Sequence, residues 1–232
     1  MSQDRGQFSS RLGFILAAAG SAVGLGNLVA FPVMASKNGG AAFLIIYLFF
    51  IAFICYPVMI AEISMGRKTQ RNPVGAFSAL SDGDRKWRLV GMLGILTPFM
   101  IAVFYTVITV WLVVYLKEIA TGGLESLADE STFSTLVGEP SLFGYLILLL
   151  GIVFTILLGG VKGGIERLAR VLMPTLAVML ILLTLFVLTL DGALEGIKYY
   201  LVPDFSKVSL TVVNGALSQA FFSLSLGMGI LI

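Results

Sequence analysis

The chain contains no histidine. Histidine is the commonest general base and the commonest metal ligand, so its absence removes the usual catalytic triads and the usual transition-metal sites. Only one cysteine is present, Cys55, and it lies inside an apolar run. A single cysteine builds no disulfide framework and says nothing of redox compartment. Charge is scarce too: Asp, Glu, Lys and Arg make up 12% of the residues, against about 25% in soluble domains. A net charge of +2 says little alone, and where the charges fall says more; no nucleic-acid partner is expected.

Apolar residues fill the space that charge leaves. They form 58% of the 232 residues, and mean hydropathy is +0.99. This composition describes an all-α polytopic membrane protein. Apolar spans fall at about 12–35, 41–65, 89–116, 142–160, 168–190 and 211–232. A helix needs about 20 such residues to cross the hydrocarbon core. The third span, at about 28 residues or roughly 42 Å, should tilt or project beyond the bilayer. Leu16–Gly20 (LAAAG) faintly resembles the end of a signal peptide, but the apolar character continues past it.

Basic residues set the orientation. The tail carries Arg5 and Arg11; the 66–88 loop carries Arg67, Lys68, Arg71, Arg85, Lys86 and Arg88; the 161–170 loop carries Lys162, Arg167 and Arg170. These alternate segments hold eleven of the fifteen basic residues. The N-terminus is therefore expected in the cytoplasm, with the segments near 36–40, 117–141 and 191–210 facing outward. The acidic 117–141 segment reads as a solvated outer loop. The expected organisation is a cytoplasmic tail (1–11), five spans (12–190), an outer loop (191–210) and an interrupted sixth span (211–232). The chain stops inside that span, so a longer protein is expected.

Residues 20–32 read GSAVGLGNLVAFP and weaken the first span at its centre. Each interior glycine costs about 1 kcal/mol relative to alanine. The GxG at Gly24 and Gly26 is not a dinucleotide loop, because no strand precedes it. Gly13, Ala17, Gly20 and Gly24 form a small-residue stripe that allows close helix packing. Packing alone does not call for Asn27; a break does. If the helix breaks near Val23–Gly26, one half ends in free carbonyls and the next begins with free amides. The carbonyls suit a cation, the amides suit a carboxylate, and Asn27 adds an oxygen.

The sixth span repeats the pattern in QAFFSLSLGMG (219–229), where Gly227 and Gly229 flank Met228 and Ser223 and Ser225 stand among phenylalanines. Two interrupted spans in corresponding positions of two repeats point to a transport site at the midplane. Glu62 is the one acid well inside a span. Such a carboxylate costs about 2.5–3.5 kcal/mol on insertion scales and should face protein. It reads as a brace for unwound backbone or as part of a proton relay. Tyr105 in the third span reads as a core tyrosine or as a hydroxyl aimed at a substrate carboxylate.

Five stretches carry a family resemblance: RLGFILAAAGSAVGLGNLVAFP (11–32), NGGAAFLIIY (38–47), PVMIAEISMGR (57–67), GGIERLARVLMPTL (163–176) and QAFFSLSLGMG (219–229). They resemble the neurotransmitter:sodium symporter family, its bacterial amino-acid branch most of all. The rule that paired broken helices mark a midplane site was drawn in part from this family. The resemblance implies two inverted five-helix repeats, of which this chain would hold the first and the start of the second. It implies one sodium ion at the Ala22 carbonyl, Asn27 and Ser223, and a second near the Gly20 and Val23 carbonyls. The Gly26 amide, beside Gly24, and Tyr105 would hold the substrate carboxylate. Ile101, Phe222, Ser225 and Met228 would line the side-chain pocket. Arg5 and Phe8 would belong to a cytoplasmic gate, and Glu62 would brace unwound backbone. Tyr47 and Gln219 match positions near the family's chloride site; chloride dependence itself stays open, as does a homodimer.

Ala30 departs from the family, where many members have a gating arginine, so the outer gate must close without that salt bridge. Ser223 keeps the hydroxyl of the usual threonine. Met228 stands where some relatives have phenylalanine. The implied activity is sodium-coupled symport, at the cell membrane, of a neutral, hydrophobic or aromatic amino acid, with the remaining helices as partner. The alternative is an amino-acid sensor or scaffold of the same fold that does not transport. An intramembrane enzyme is disfavoured, since neither histidine nor paired intramembrane carboxylates are available.

Overall fold

The computed structural model describes residues 9–123, 125, 127 and 129–232, apart from the side chains of Glu130 and Lys207. Arg5 and Phe8, the expected gate residues, lie outside the described residues. All regular structure among the described residues is helical. Two compact units are formed, one by residues 96–165 and the other by residues 9–95 with 166–232.

The larger unit begins with α1 (Arg11–Ala22). Ser10 caps it, its hydroxyl oxygen accepting the Gly13 N–H at 3.0 Å, which satisfies one of the four orphan amides of a helix start. The helix stops at Val23, whose backbone is extended (φ −84°, ψ 99°). It resumes as α2 (Gly26–Lys37), bent from α1 by 60°. Gly26–Ala30 is a wide helical turn of the π type. A short turn then leads into α3 (Ala41–Thr69). A second wide turn, Ile51–Cys55, lies just before Pro57 in α3. Proline has no N–H and its ring clashes with the carbonyl four residues earlier, so a local widening there relieves the strain. The helix α4 (Pro73–Leu80) follows, with Asn72 as its cap and Pro73 at its first position. The unit continues along the start of α5 (Arg85–Ala120) as far as Ile95.

The smaller unit contains the rest of α5, then α6 (Glu130–Val137) and α7 (Leu142–Leu158). Trp111 on α5 meets the Phe133 ring edge-on at 5.4 Å. Val107, Val110 and Trp111 form a wholly apolar cleft with Leu142, Phe143 and Leu146. The next helix, α8 (Gly160–Val187), starts in a third wide turn, Gly160–Glu166. From Glu166 onward α8 belongs to the larger unit, with α9 (Ala193–Leu201) and α10 (Leu210–Ser223).

The core of the larger unit is the seam between α3 and α10. Ala35, Phe43, Val212 and Ala216 are buried together, and Cys55, Ala220 and Leu226 form a second cluster beside them. Small residues on α10 let the two helices approach, the packing mode available where lipid removes the hydrophobic drive between helices. On α9, the Tyr199 hydroxyl donates to the Ser36 carbonyl at 2.6 Å and the Tyr200 hydroxyl to the Pro32 carbonyl at 3.2 Å. Both bonds fix α9 onto α2.

Among the described residues, three helices are long and apolar enough to cross a membrane, α3, α5 and α8; each bent pair counted as one span brings the number to five. The sixth apolar stretch, 211–232, is not a continuous helix. Its helical part ends at Ser223, and Ser225, Gly227 and Gly229 turn the chain with positive φ (53°, 75° and 65°). The segments expected as loops also differ: 66–88 contains α4, 117–141 contains α6, 191–210 contains α9, and 161–170 lies inside α8. Side chains such as Phe53 (69% exposed) and Leu158 (73%) point outward from the spans. Apolar faces of this extent belong against lipid or further helices, in a multi-pass membrane protein.

Asn72 makes the entry to α4 testable. Its side-chain oxygen accepts the Gly75 N–H at 2.8 Å, a cap worth about 1 kcal/mol. Asn72→Ala should therefore raise amide hydrogen exchange across 73–80 by about fivefold, while Asn72→Asp should keep the wild-type rate. Equal rates in wild type and Asn72→Ala would show that the cap does not hold this helix.

Candidate functional site

The break between α1 and α2 leaves polar backbone inside an apolar segment. In hydrocarbon each such group must find a partner. The last carbonyls of α1, at Gly20, Ser21 and Ala22, have no i+4 partner of the ordinary kind. Two are met by side chains. The Asn27 amide nitrogen donates back to the Ala22 carbonyl at 2.7 Å, and the Ser225 hydroxyl donates to the Ser21 carbonyl at 3.3 Å. Across the break, the Gly24 carbonyl accepts the Asn27 and Leu28 N–H groups at 2.9 and 3.0 Å, which restarts the helix.

Asn27 is the centre of the cluster. Its side-chain oxygen accepts the Ser223 hydroxyl of α10 at 2.6 Å. Gln219, one turn earlier on α10, is buried and donates to the Gly26 carbonyl at 3.1 Å and to the Ser223 oxygen at 3.4 Å. Ala22, Asn27 and Ser223 thus converge through two hydrogen bonds. They supply a carbonyl, an amide oxygen and a hydroxyl, all neutral hard donors of the kind that suit a hard cation. The amide's two ends are chosen by its hydrogen-bond partners, so a cation between these groups would turn the Asn27 oxygen inward.

Phe222 closes one side. A Cβ on Gly26 would overlap the Phe222 ring, whose Cδ1 would lie 2.8 Å away. Glycine at 26, itself buried, is therefore required for the backbone to approach that ring. Beyond Ser223 the chain unwinds. Ser225 is buried and holds a left-handed conformation that favours glycine, and the bond from its hydroxyl to Ser21 offsets part of that strain. Glu62 on α3, itself buried, accepts the Gly227 N–H at 2.7 Å through one carboxylate oxygen. The other oxygen is buried with no hydrogen-bond partner among the described residues.

The expected site residues therefore separate into groups. Ala22, Asn27 and Ser223 are in one cluster with Gly26, Gln219 and Ser225, and Gly20 and Val23 stand on the chain at its edge. Glu62 reaches the second unwound stretch. Met228 is half-buried within that stretch. The Tyr47 ring packs 4.8 Å from the Phe31 ring, on α3. Ile101 and Tyr105 lie on the part of α5 that belongs to the smaller unit, where the Thr109 hydroxyl donates to the Tyr105 carbonyl at 2.7 Å.

Sequence reasoning missed one polar cluster. Glu166, in the first turns of α8, is 1% exposed. It accepts from the Ser9 N–H at 2.7 Å, from the Ser9 hydroxyl, and from Arg170 at 2.7 Å. The signal was present in Gly13, whose lack of a side chain implied something large against that face of α1.

A family model described as the sodium:neurotransmitter symporter family matches residues 5–135 and 131–232. An uncharacterised sodium-dependent transporter of Methanocaldococcus jannaschii, MJ1319, is 40% identical over 99% of this chain and 48% of its own length. The uncharacterised sodium-dependent transporter YhdH of Bacillus subtilis is 36% identical over 97% of this chain and 51% of its own length. The crystal structure of MhsT in complex with L-phenylalanine superposes with a TM-score of 0.85 at 45% identity, over 98% of this chain and 52% of that one. The chain spans about half the length of the relatives it matches. With the paired helix breaks and the polar cluster between them, these matches settle the family: the chain belongs to the sodium:neurotransmitter symporters.

Proposed function

We propose that this chain is the ion- and substrate-binding part of a transporter that takes up an amino acid together with sodium by alternating access. One observation carries the reading: the convergence of the Ala22 carbonyl, the Asn27 side chain and the Ser223 hydroxyl between two interrupted helices. These three groups would hold one sodium ion, and the Gly20 and Val23 carbonyls would contribute to a second. The Gly26 amide, at the positive end of α2, would receive the substrate carboxylate, joined by the Tyr105 hydroxyl. Ile101, Phe222, Ser225 and Met228 would surround the substrate side chain. No acid belongs to the first sodium cluster, so the substrate carboxylate would supply the missing negative charge. That is the physical basis for coupling, because each ligand neutralises the other.

The driving force follows from charge. Two sodium ions crossing 100 mV would supply about 4.6 kcal/mol from the potential alone, at about 2.3 per charge. That amounts to roughly three decades of accumulation. The process needs no covalent chemistry. Helices beyond those present would complete both ion sites and cover the apolar faces of the spans, in a cell-membrane protein whose N-terminus is cytoplasmic.

Replacing Asn27 tests the ion site. Asn27→Leu removes the oxygen and roughly keeps the volume. In the full-length protein it should lower sodium affinity by tenfold or more and flatten the sodium dependence of amino-acid binding, since coupling between two ligands is typically about 1–3 kcal/mol. Thermal stability without sodium should change less. Binding measured at low and high sodium, with the same ratio in wild type and variant, would reduce Asn27 to a packing residue.

Substrate class is tested by competition. The groups proposed for the pocket are apolar apart from Ser225, and Met228 is flexible enough to fill variable gaps. No Lys or Arg is among them to pair with an acidic side chain. Phenylalanine and leucine should displace a bound radiolabelled substrate at concentrations at least a hundredfold below aspartate or lysine. Aspartate or lysine as the strongest competitor would contradict this pocket.

A further inference from the structure

The helix α9 has no part in the ion site, and its two sides differ in chemistry. Gly192 opens it in a left-handed conformation (φ 82°), and it ends where Val202 turns extended, the backbone that the following Pro203 favours. Glu195 in the first turn and Lys198 in the last suit the two ends of the helix dipole. Leu194, Ile197 and Leu201 fall at i, i+3 and i+7, so they share one stripe. Tyr199 lies on the opposite side. The structure keeps that division. Ala193, Tyr199 and Tyr200 are half-buried against the protein, whereas Leu194 is 81% exposed, Leu201 73% and Ile197 37%.

Two hydrogen bonds set the level at which α9 lies. The Tyr199 hydroxyl donates to the Ser36 carbonyl and the Tyr200 hydroxyl to the Pro32 carbonyl, both in the last turns of α2, which ends at Lys37. A Cβ on Gly40, in the turn between α2 and α3, would overlap the Tyr199 ring. The helix thus lies beside the point where α2 gives way to α3, level with the end of an apolar segment. It also joins two such segments. Residues 188–192 alone separate it from α8, and Leu188 and Leu190 among them are exposed. On the far side, exposed Val202 leads toward α10, whose first residue, Leu210, is exposed too. Tyrosine is a residue type that gathers at the membrane–water boundary. Lys198, beside the stripe, has a stem that lies on apolar surface while its ammonium stays among polar groups.

We propose that α9 is an interfacial helix whose Leu194–Ile197–Leu201 face is immersed in the boundary between lipid headgroups and acyl chains. On the orientation proposed above, this is the outer leaflet. The partner is the bilayer itself. Three observations favour lipid: the stripe points away from the protein, it lies at the level where spans end, and exposed apolar side chains continue it along the chain in both directions. A narrow apolar stripe bordered by charge is the pattern of a helix lying on a lipid surface. The two tyrosine bonds then tie the outer end of α2 to the leaflet. Only the purpose of that tie rests on the transport reading, because α2 also carries Gly26 and Asn27.

The test uses the full-length protein in phosphatidylcholine–phosphatidylglycerol liposomes, on a background without native cysteines that includes Cys55→Ala. A nitroxide label is attached in turn at Leu194→Cys, Ile197→Cys, Leu201→Cys and Glu195→Cys, all exposed positions whose labelling leaves the packed side of α9 intact. Power saturation with oxygen, which concentrates in lipid, and with a water-soluble nickel chelate shows where each label sits. Oxygen collisions should dominate at 194, 197 and 201, at a depth of about 5–10 Å below the headgroups, and chelate collisions at 195. Chelate collisions dominating at all four positions would show a solvated helix and overturn the proposal. Low collision with both reagents at 194, 197 and 201 would show protein over this face, from the rest of the chain or a second copy, and would overturn it equally. A second measurement follows the tie to α2. Tyr199→Phe with Tyr200→Phe should speed amide exchange across residues 33–37 about tenfold; an unchanged rate would overturn the tie. None of these readings needs sodium or an amino acid, so the proposal fails or stands separately from the ion-site test at Asn27.

Discussion

Everything in the larger unit depends on one constraint: polar backbone within an apolar span must be paired. An unbroken helix would meet that requirement by itself. This chain gives it up at residues 23–25 and again after Ser223. The orphaned groups are then taken up by a small set of side chains from other elements. Asn27 and Ser225 serve the end of α1, Gln219 serves the start of α2, and Glu62 serves the unwound stretch near Gly227. Each of these residues is costly in an apolar setting, and each is there because a carbonyl or an amide requires it.

The same constraint explains how structure becomes function. Hydrogen bonds that satisfy a broken helix are exchangeable, because a cation or a carboxylate can replace a side-chain partner without leaving the backbone bare. Asn27 is the clearest case. It bridges the Ala22 carbonyl and the Ser223 hydroxyl, so it joins the two breaks. A ligand that enters this bridge acts on α1, α2 and α10 together, which is how local binding can bias a global equilibrium.

The breaks were legible because they violate local rules. Gly20, Gly24, Gly26 and Asn27 within an apolar run have no packing explanation that accounts for all of them, and Gly227 with Gly229 repeats the pattern. The membrane class followed from composition alone. The helices inside expected loops were less visible. For α4, the Asn72–Pro73 cap signal was in the sequence but was masked by the basic residues around it. The Ser9–Glu166 contact joins residues 157 positions apart, and no periodicity carries information across that separation. Glu166 carried no signal of its own in the sequence, because its burial exists only once α1 lies against α8. For Tyr47 the resemblance implied a place near a chloride site, and the structure adds that its ring packs against Phe31 and Phe43.

The central claim is that the two breaks exist to bind ligands rather than to pack helices. Amide hydrogen exchange in the full-length protein tests it most directly. With sodium and phenylalanine together, the amides of residues 24–27 and 225–229 should become protected by at least tenfold. Either ligand alone should give much less, and α4 should be unaffected. Exchange at both stretches that does not respond to the two ligands together would contradict the account.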